Sequence, residues 1–221
     1  MKLIFSALTK YIMGLILLSA LLFLPAWTLN FFGAWLFLAL LFIPMLIMGT
    51  VLLVKEPNLL EKRLNNKEKE KTQQGVVALS GLMFPIGFVV SALDFRFAWS
   101  SVPTWLVTVA SVLFLLGYGM YAEVMREHAY LSRTVEVQQD QTVISTGLYG
   151  IVRHPMYLAT LFMFLPLPLI LGSFWGLIPF ALYPVVTVIR ILNEEKVLTE
   201  GLEGYAEYKT KVKYRLIPFI W

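Results

Sequence analysis

Residues 156–189 read MYLATLFMFLPLPLILGSFWGLIPFALYPVVTVI, a run without one charged side chain. A helix crosses a bilayer core with about 20 apolar residues, so the run is too long for one ordinary span. Pro166, Gly172-Ser173, Pro179 and Pro184 interrupt it, and proline and glycine are where helices break and turn. Two short helices folded back at Gly172-Ser173 are the expected form.

Working outward, four more apolar segments fall near residues 11–29, 32–54, 76–93 and 104–121. With the hairpin they make six spans. The composition agrees: 58% of the 221 residues are hydrophobic and 14% charged, against about 45–50% and 25% in soluble domains. The chain is expected to be an all-α integral membrane protein of about six transmembrane helices. The first segment is too long for a signal-peptide core and no A-x-A-like site follows, so it is expected to stay as an anchor. There is no cysteine, which excludes a disulfide framework, a thiol nucleophile and a Cys-based metal site.

Six spans put both termini on one side, together with every one of the 18 Lys and Arg residues except Arg96. Basic residues stay on the cytoplasmic side, so both termini, the 55–75 loop, the 122–155 segment and the tail are expected there. A bacterial inner membrane is favoured over endoplasmic reticulum. Residues 55–64 suit a short interfacial helix, with Leu59, Leu60 and Leu64 set against charges.

Information is uneven along the chain. Residues 1–121 form an N-terminal four-helix region whose span interiors offer only small hydroxyls, and an ionisable group within the membrane is the usual mark of a pump or proton-coupled transporter. Residues 122–221 hold the chemistry. The stretch EVMREHAYLSR, 122–133 with Ala122, continues the fourth helix; 134–147 is extended, with turns at Gln139-Asp140 and Ser145-Thr146-Gly147. Pro155 suits the first turn of the fifth span and holds His154 at its mouth, where free N–H groups favour an anion. Arg190 and Glu194 stand four apart on one helix face. Each feature has a plain structural reading too: Arg153 snorkelling, His154 capping, Arg190 and Glu194 as an interfacial ion pair, and the tail as an amphipathic surface helix.

Taken in order, Thr146-Gly147-Leu148-Tyr149, Arg153-His154-Pro155-Met156-Tyr157, Glu194-Glu195, Gly204-Tyr205-x-x-Tyr208 and Arg215-Leu216-Ile217-Pro218 resemble the isoprenylcysteine carboxyl methyltransferase and phospholipid methyltransferase superfamily. The agreement runs from about Glu123 to the end, and KEPNLLEKRL at 55–64 is similar to a loop of prokaryotic members. The resemblance implies S-adenosyl-L-methionine, bound by a C-terminal catalytic region, 122–221, in a cytoplasmic pocket capped by the tail. It implies cofactor contacts at Gln141, Thr142, Val143, Ile144, Tyr149, His154, Pro155, Met156, Tyr157 and Glu194, with Arg190 facing the methyl acceptor; Arg190 and Glu194 are the expected catalytic pair. Gln141 departs from the histidine of several relatives. Glu136 falls near a further family contact.

The chemistry is compatible. Glu194 can meet the cofactor's cationic end, His154 or helix N–H groups its carboxylate, and Tyr149 and Tyr157 its adenine or cation. The expected activity is methyl transfer to a lipophilic acceptor, favouring a carboxylate such as an isoprenylcysteine-like C-terminus, which Arg190 can grip. A phospholipid amine or a thiol stays open as acceptor. The expected partners are the lipid bilayer and that acceptor, with no metal and no nucleic acid. Two alternatives stand beside this: an NADPH-dependent sterol or enone reductase of related architecture, which calls for more cations than Arg126, Arg133, Arg153 and Arg190, and a non-enzymatic membrane protein that kept the fold. No Gly-x-Gly turn between strand and helix exists, so a doubly wound fold is excluded.

Overall fold

The computed structural model describes residues 2–64, 71–128, 130–131 and 137–221, without the side chains of residues 71 and 72. Glu136, Arg133 and residues 65–70 of the basic loop lie outside the described residues. The helices are α1 (Lys2–Ala26), α2 (Phe32–Lys55), α3 (Pro57–Leu64), α4 (Lys71–Phe97), α5 (Thr104–Glu127), α6 (Pro155–Phe164), α7 (Leu167–Ile170), α8 (Leu177–Phe180), α9 (Leu182–Gly201) and α10 (Tyr205–Lys211). No strand occurs among the described residues.

Five stretches are long and apolar enough to cross a membrane: Lys2–Ala26, Phe32–Lys55, Gln73–Phe97, Thr104–Glu127 and Leu177–Gly201. Pro155–Ile170 is a shorter apolar helix; at 1.5 Å per residue it reaches about 24 Å, short of the roughly 30 Å core. The chain does fold back at Gly172, which takes the left-handed φ of +78° that a turn there needs. The two arms are unequal, however. The returning one is not short: it continues through the uncharged run into the polar segment beyond Arg190 and ends at Gly201.

Aromatic rings fill the centre of the bundle. Phe37 of α2 stacks on Phe88 of α4 at 5.5 Å and meets Phe114 of α5 edge-on at 6.2 Å. Phe88 meets Phe180 of α8 at 5.8 Å. The outward faces are as apolar as the core: Phe5, Ile16, Leu24, Trp105 and Leu116 are all exposed. That inversion suits lipid as solvent. The most extensive helix pairing is α5 on α6, where Gly117 lets the backbones approach: a Cβ there would stand 2.7 Å from the Ala159 carbonyl oxygen.

Three sequence expectations need correction. The apolar count ends the third span near residue 93 and finds no ionisable group in the first four spans. In fact α4 runs to Phe97 and carries Asp94, fully buried. Its carboxylate accepts from the Ser100 amide at 2.7 Å, the Ser100 hydroxyl at 2.6 Å and the Ser173 hydroxyl at 2.5 Å. It thus ties α4 to the tip of the hairpin, and its hydrogen bonds make burial tolerable. The helix expected to continue through 133 stops at Glu127, because His128 leaves helical geometry at φ −110°, ψ 88°. The tail is helical only over Tyr205–Lys211.

At the end of the bundle opposite Asp94, α3 lies as expected, burying Leu59 and Leu60. They cluster with Leu52, Val124, Met125 and Tyr149, and Leu3 packs against them. The start of α1, the end of α5, the segment after it and the tail therefore meet at one end, and that end holds the cavity.

Candidate functional site

The stretch Arg153-His154-Pro155 takes the expected form. His154 precedes the helix, Pro155 is its first residue, and the His154 side chain makes no capping bond. Arg153 does not snorkel. It is 7% exposed, donates from Nε to Glu195 at 2.6 Å, and bonds the carbonyls of Val212 and Lys213 at 2.7 and 2.9 Å. The same carboxylate meets His154 Nε2 at 3.4 Å and Arg215 Nε at 2.9 Å. The amides of Arg153 and His154 donate to the carbonyls of Tyr214 and Arg215 at 2.9 and 2.8 Å. The tail is thus strapped beside the start of α6.

Between this strap, α9, the end of α5 and the segment 141–144 lies a cavity of about 810 Å³, counted out to its open mouth. Gln141, Thr142, Val143, Ile144, Tyr149, His154, Met156, Tyr157, Arg190 and Glu194 all line it. Pro155 does not; it is buried behind them at the helix start. The turn expected at Gln139-Asp140 is present, with Gln138 N bonded to Gln141 Oε1 at 2.9 Å. The Gln141 side chain so braces its own segment.

Arg190 and Glu194 share one face of α9, and Tyr157 of α6 joins them. Its hydroxyl donates to Glu194 Oε2 at 2.5 Å and accepts from Arg190 Nε at 2.9 Å. The Arg190 carbonyl takes a bond from Gln73 of α4 at 3.3 Å. A cation and an anion are held in fixed relation where the uncharged part of α9 ends.

Sequence reasoning passed over several lining residues: His128, Tyr130, Leu131, Leu198, Leu202, Tyr205 and Tyr208. Two had a signal. Leu198 follows Glu194 by one turn, and Gly204-Tyr205-x-x-Tyr208 sets two tyrosines on one helix face. His128 had none, since it lies where the helix unexpectedly ends. Burial lowers the pKa of the His128 ring. Burial, then the Glu194 charge, raises Tyr149 well above its ordinary value, and burial pushes Tyr208 up to about 12. Tyr208 donates to the Tyr149 carbonyl at 2.7 Å. His128 Nδ1 and the Tyr205 hydroxyl are buried with no protein partner among the described residues. No group of three or more His, Asp or Glu side chains that could hold a metal ion occurs among the described residues.

A cavity with a paired cation and anion, unmet polar atoms and apolar walls sits beside helices that cross lipid. The family model for phospholipid methyltransferases matches residues 105–203, from the start of α5 to just past α9. That interval contains Tyr149, His154, Tyr157, Arg190, Glu194 and Glu195. Over residues 105–203 the chain is thus similar to the phospholipid methyltransferases.

Proposed function

We propose that the chain uses S-adenosylmethionine to methylate a lipophilic carboxylate, of the kind an isoprenylcysteine presents. The observation that carries this is the Arg190–Tyr157–Glu194 chain of hydrogen bonds, lining the cavity where α9 leaves its uncharged run. The cavity faces the cytoplasm in this reading, because the basic residues gather at its end of the bundle.

The residues present fit the cofactor. Glu194 suits its cationic end, His154 its carboxylate, and the apolar walls with the unmet polar atoms suit a nucleoside. When bound, it supplies a methyl group on an electron-poor sulfur. Arg190 holds the acceptor carboxylate by charge-assisted hydrogen bonds. Tyr157 fixes the guanidinium through Nε, which leaves the rest of the group oriented rather than swinging. Such fixing lowers the barrier by removing motion before the reaction. A carboxylate arrives deprotonated, so its oxygen can attack the methyl carbon without a general base. The cofactor would supply that methyl group with its sulfur as the leaving group, keeping the bonding electron pair.

The reductase reading is weaker. Among the described lining residues the arginines are Arg153 and Arg190, and Arg153 is neutralised by Glu195. Little positive charge is left for a nicotinamide cofactor's phosphates.

Purified protein, cofactor with a labelled methyl group and an S-farnesylcysteine derivative bearing a free carboxylate test this. Transfer to the carboxylate and not to its amide is expected. Arg190→Ala should cut turnover about 100-fold or more while S-adenosylhomocysteine binding is kept. Undiminished transfer by Arg190→Ala, or equal transfer to the amide, would overturn the acceptor assignment.

A further inference from the structure

The stripe that α9 turns to the cavity changes character along its length. Arg190 and Glu194 come first; Leu198 follows one turn later and Leu202 just past the helix end. From Arg190 to Leu202 the stripe covers about 18 Å. Its outer half packs with Val143, Tyr205 and Tyr208 into a separate apolar cluster. The cavity therefore has a charged pole near the membrane and an apolar pole away from it.

One polar atom at the apolar pole has no partner. Tyr205 is 4% exposed, lines the cavity, and its hydroxyl is buried without a hydrogen bond to any described residue. The neighbouring tyrosines differ: Tyr208 donates to the Tyr149 carbonyl and Tyr157 to Glu194. Buried polar groups in folded proteins are normally paired, and an unmet one calls for an explanation. An apolar wall with one placed hydrogen-bonding group is how pockets hold a flat, mostly apolar ligand in one orientation. Burial, then the Glu195 charge, raises the Tyr205 pKa, so the group remains a donor.

We propose that the apolar pole is the nucleoside end of the site, and that Tyr205 donates its hydroxyl hydrogen to an acceptor atom of the adenosine, on ring or ribose. The proposal rests on the S-adenosylmethionine reading given above. It fixes the direction in which the cofactor lies: nucleoside against Leu198, Leu202 and Tyr205, amino-acid end and methyl group toward Glu194 and Arg190.

Tyr205→Phe removes only the hydroxyl. Detergent-purified wild type, Tyr205→Phe and Glu194→Gln are compared for S-adenosylhomocysteine affinity, for competition by 5′-methylthioadenosine, which lacks the amino-acid end, and for melting temperature without ligand. Tyr205→Phe should weaken both ligands about fivefold, the loss of one ordinary hydrogen bond, with ligand-free melting unchanged or raised. Glu194→Gln should weaken S-adenosylhomocysteine and leave methylthioadenosine as it was. Loss confined to S-adenosylhomocysteine in Tyr205→Phe would assign the hydroxyl to the amino-acid end and overturn the proposal. So would unchanged affinities, a lowered ligand-free melting temperature or misfolding, each marking Tyr205 as a brace of the fold, and so would methylthioadenosine that fails to compete at wild type. Wild type that binds no S-adenosylhomocysteine would overturn the cofactor reading itself, a result distinct from all of these.

Discussion

Glu195 meets two guanidinium groups, of Arg153 and Arg215, and the ring of His154 at once, and is 3% exposed. Breaking a buried ion pair by removing one partner costs about 3–5 kcal/mol, because the other charge is left in a poor solvent. Glu195→Gln should therefore lower stability by about 3 kcal/mol or more, and it should loosen the strap formed by residues 212–215. A fall in melting temperature, with faster tryptic cleavage at Lys211 and Lys213, would be the result. An unchanged melting curve would show that the strap holds by its backbone hydrogen bonds alone. Glu194, its neighbour, behaves differently because the next position on a helix faces about 100° away. At this scale the sequence was partly legible. Proline chemistry placed His154 at a helix mouth, and the i, i+4 spacing put Arg190 and Glu194 on one face. The snorkelling expected of Arg153 was wrong, since its partner lies 42 residues further on and no local pattern joins them. Tyr157 as the bridge between Arg190 and Glu194 was hidden for the same reason.

Among elements, the contact of α5 with α6 sets the floor of the site, because α5 ends beside the cavity and α6 begins there. Gly117 makes the contact possible. In Gly117→Ala the new Cβ would lie 2.7 Å from the Ala159 carbonyl oxygen and 3.0 Å from the Met163 amide nitrogen. Backbone atoms cannot swing aside, so the helices must separate, at a cost of about 1–3 kcal/mol. Gly119→Ala is the control, since a Cβ there meets nothing within 4 Å and alanine favours a helix by up to about 1 kcal/mol. Thermal melts in detergent should show Gly117→Ala lowered and Gly119→Ala level or raised. Equal behaviour would mean that α5 and α6 have room between them. The elements themselves were largely legible, because a bilayer demands long uncharged runs and the hairpin turn needed Gly172. Their ends were not. Asp94 hides at the edge of an apolar run, and its buried state depends on Ser173, 79 residues away.

For the whole molecule, the sequence showed a membrane bundle with its cations gathered at one end, and the structure sets a cavity at the end where α3 and the tail lie. Hydropathy could not show the cavity's shape, since the 137–146 segment and the strap reach it through contacts distant in sequence. The proposed function has this cavity hold S-adenosylmethionine against Glu194 while a lipophilic acceptor meets Arg190 at the membrane. Calorimetric titration of detergent-purified protein with S-adenosylhomocysteine tests it most directly, with NADPH titrated in parallel and Glu194→Gln as the variant. Removing a charged partner from such a contact costs about 1.5–3 kcal/mol, which corresponds to a loss of roughly 10- to 150-fold in affinity. Saturable binding of S-adenosylhomocysteine, weakened by that much in Glu194→Gln, and no binding of NADPH are expected. Binding of NADPH without S-adenosylhomocysteine, or equal S-adenosylhomocysteine affinity in the variant, would contradict the proposed function.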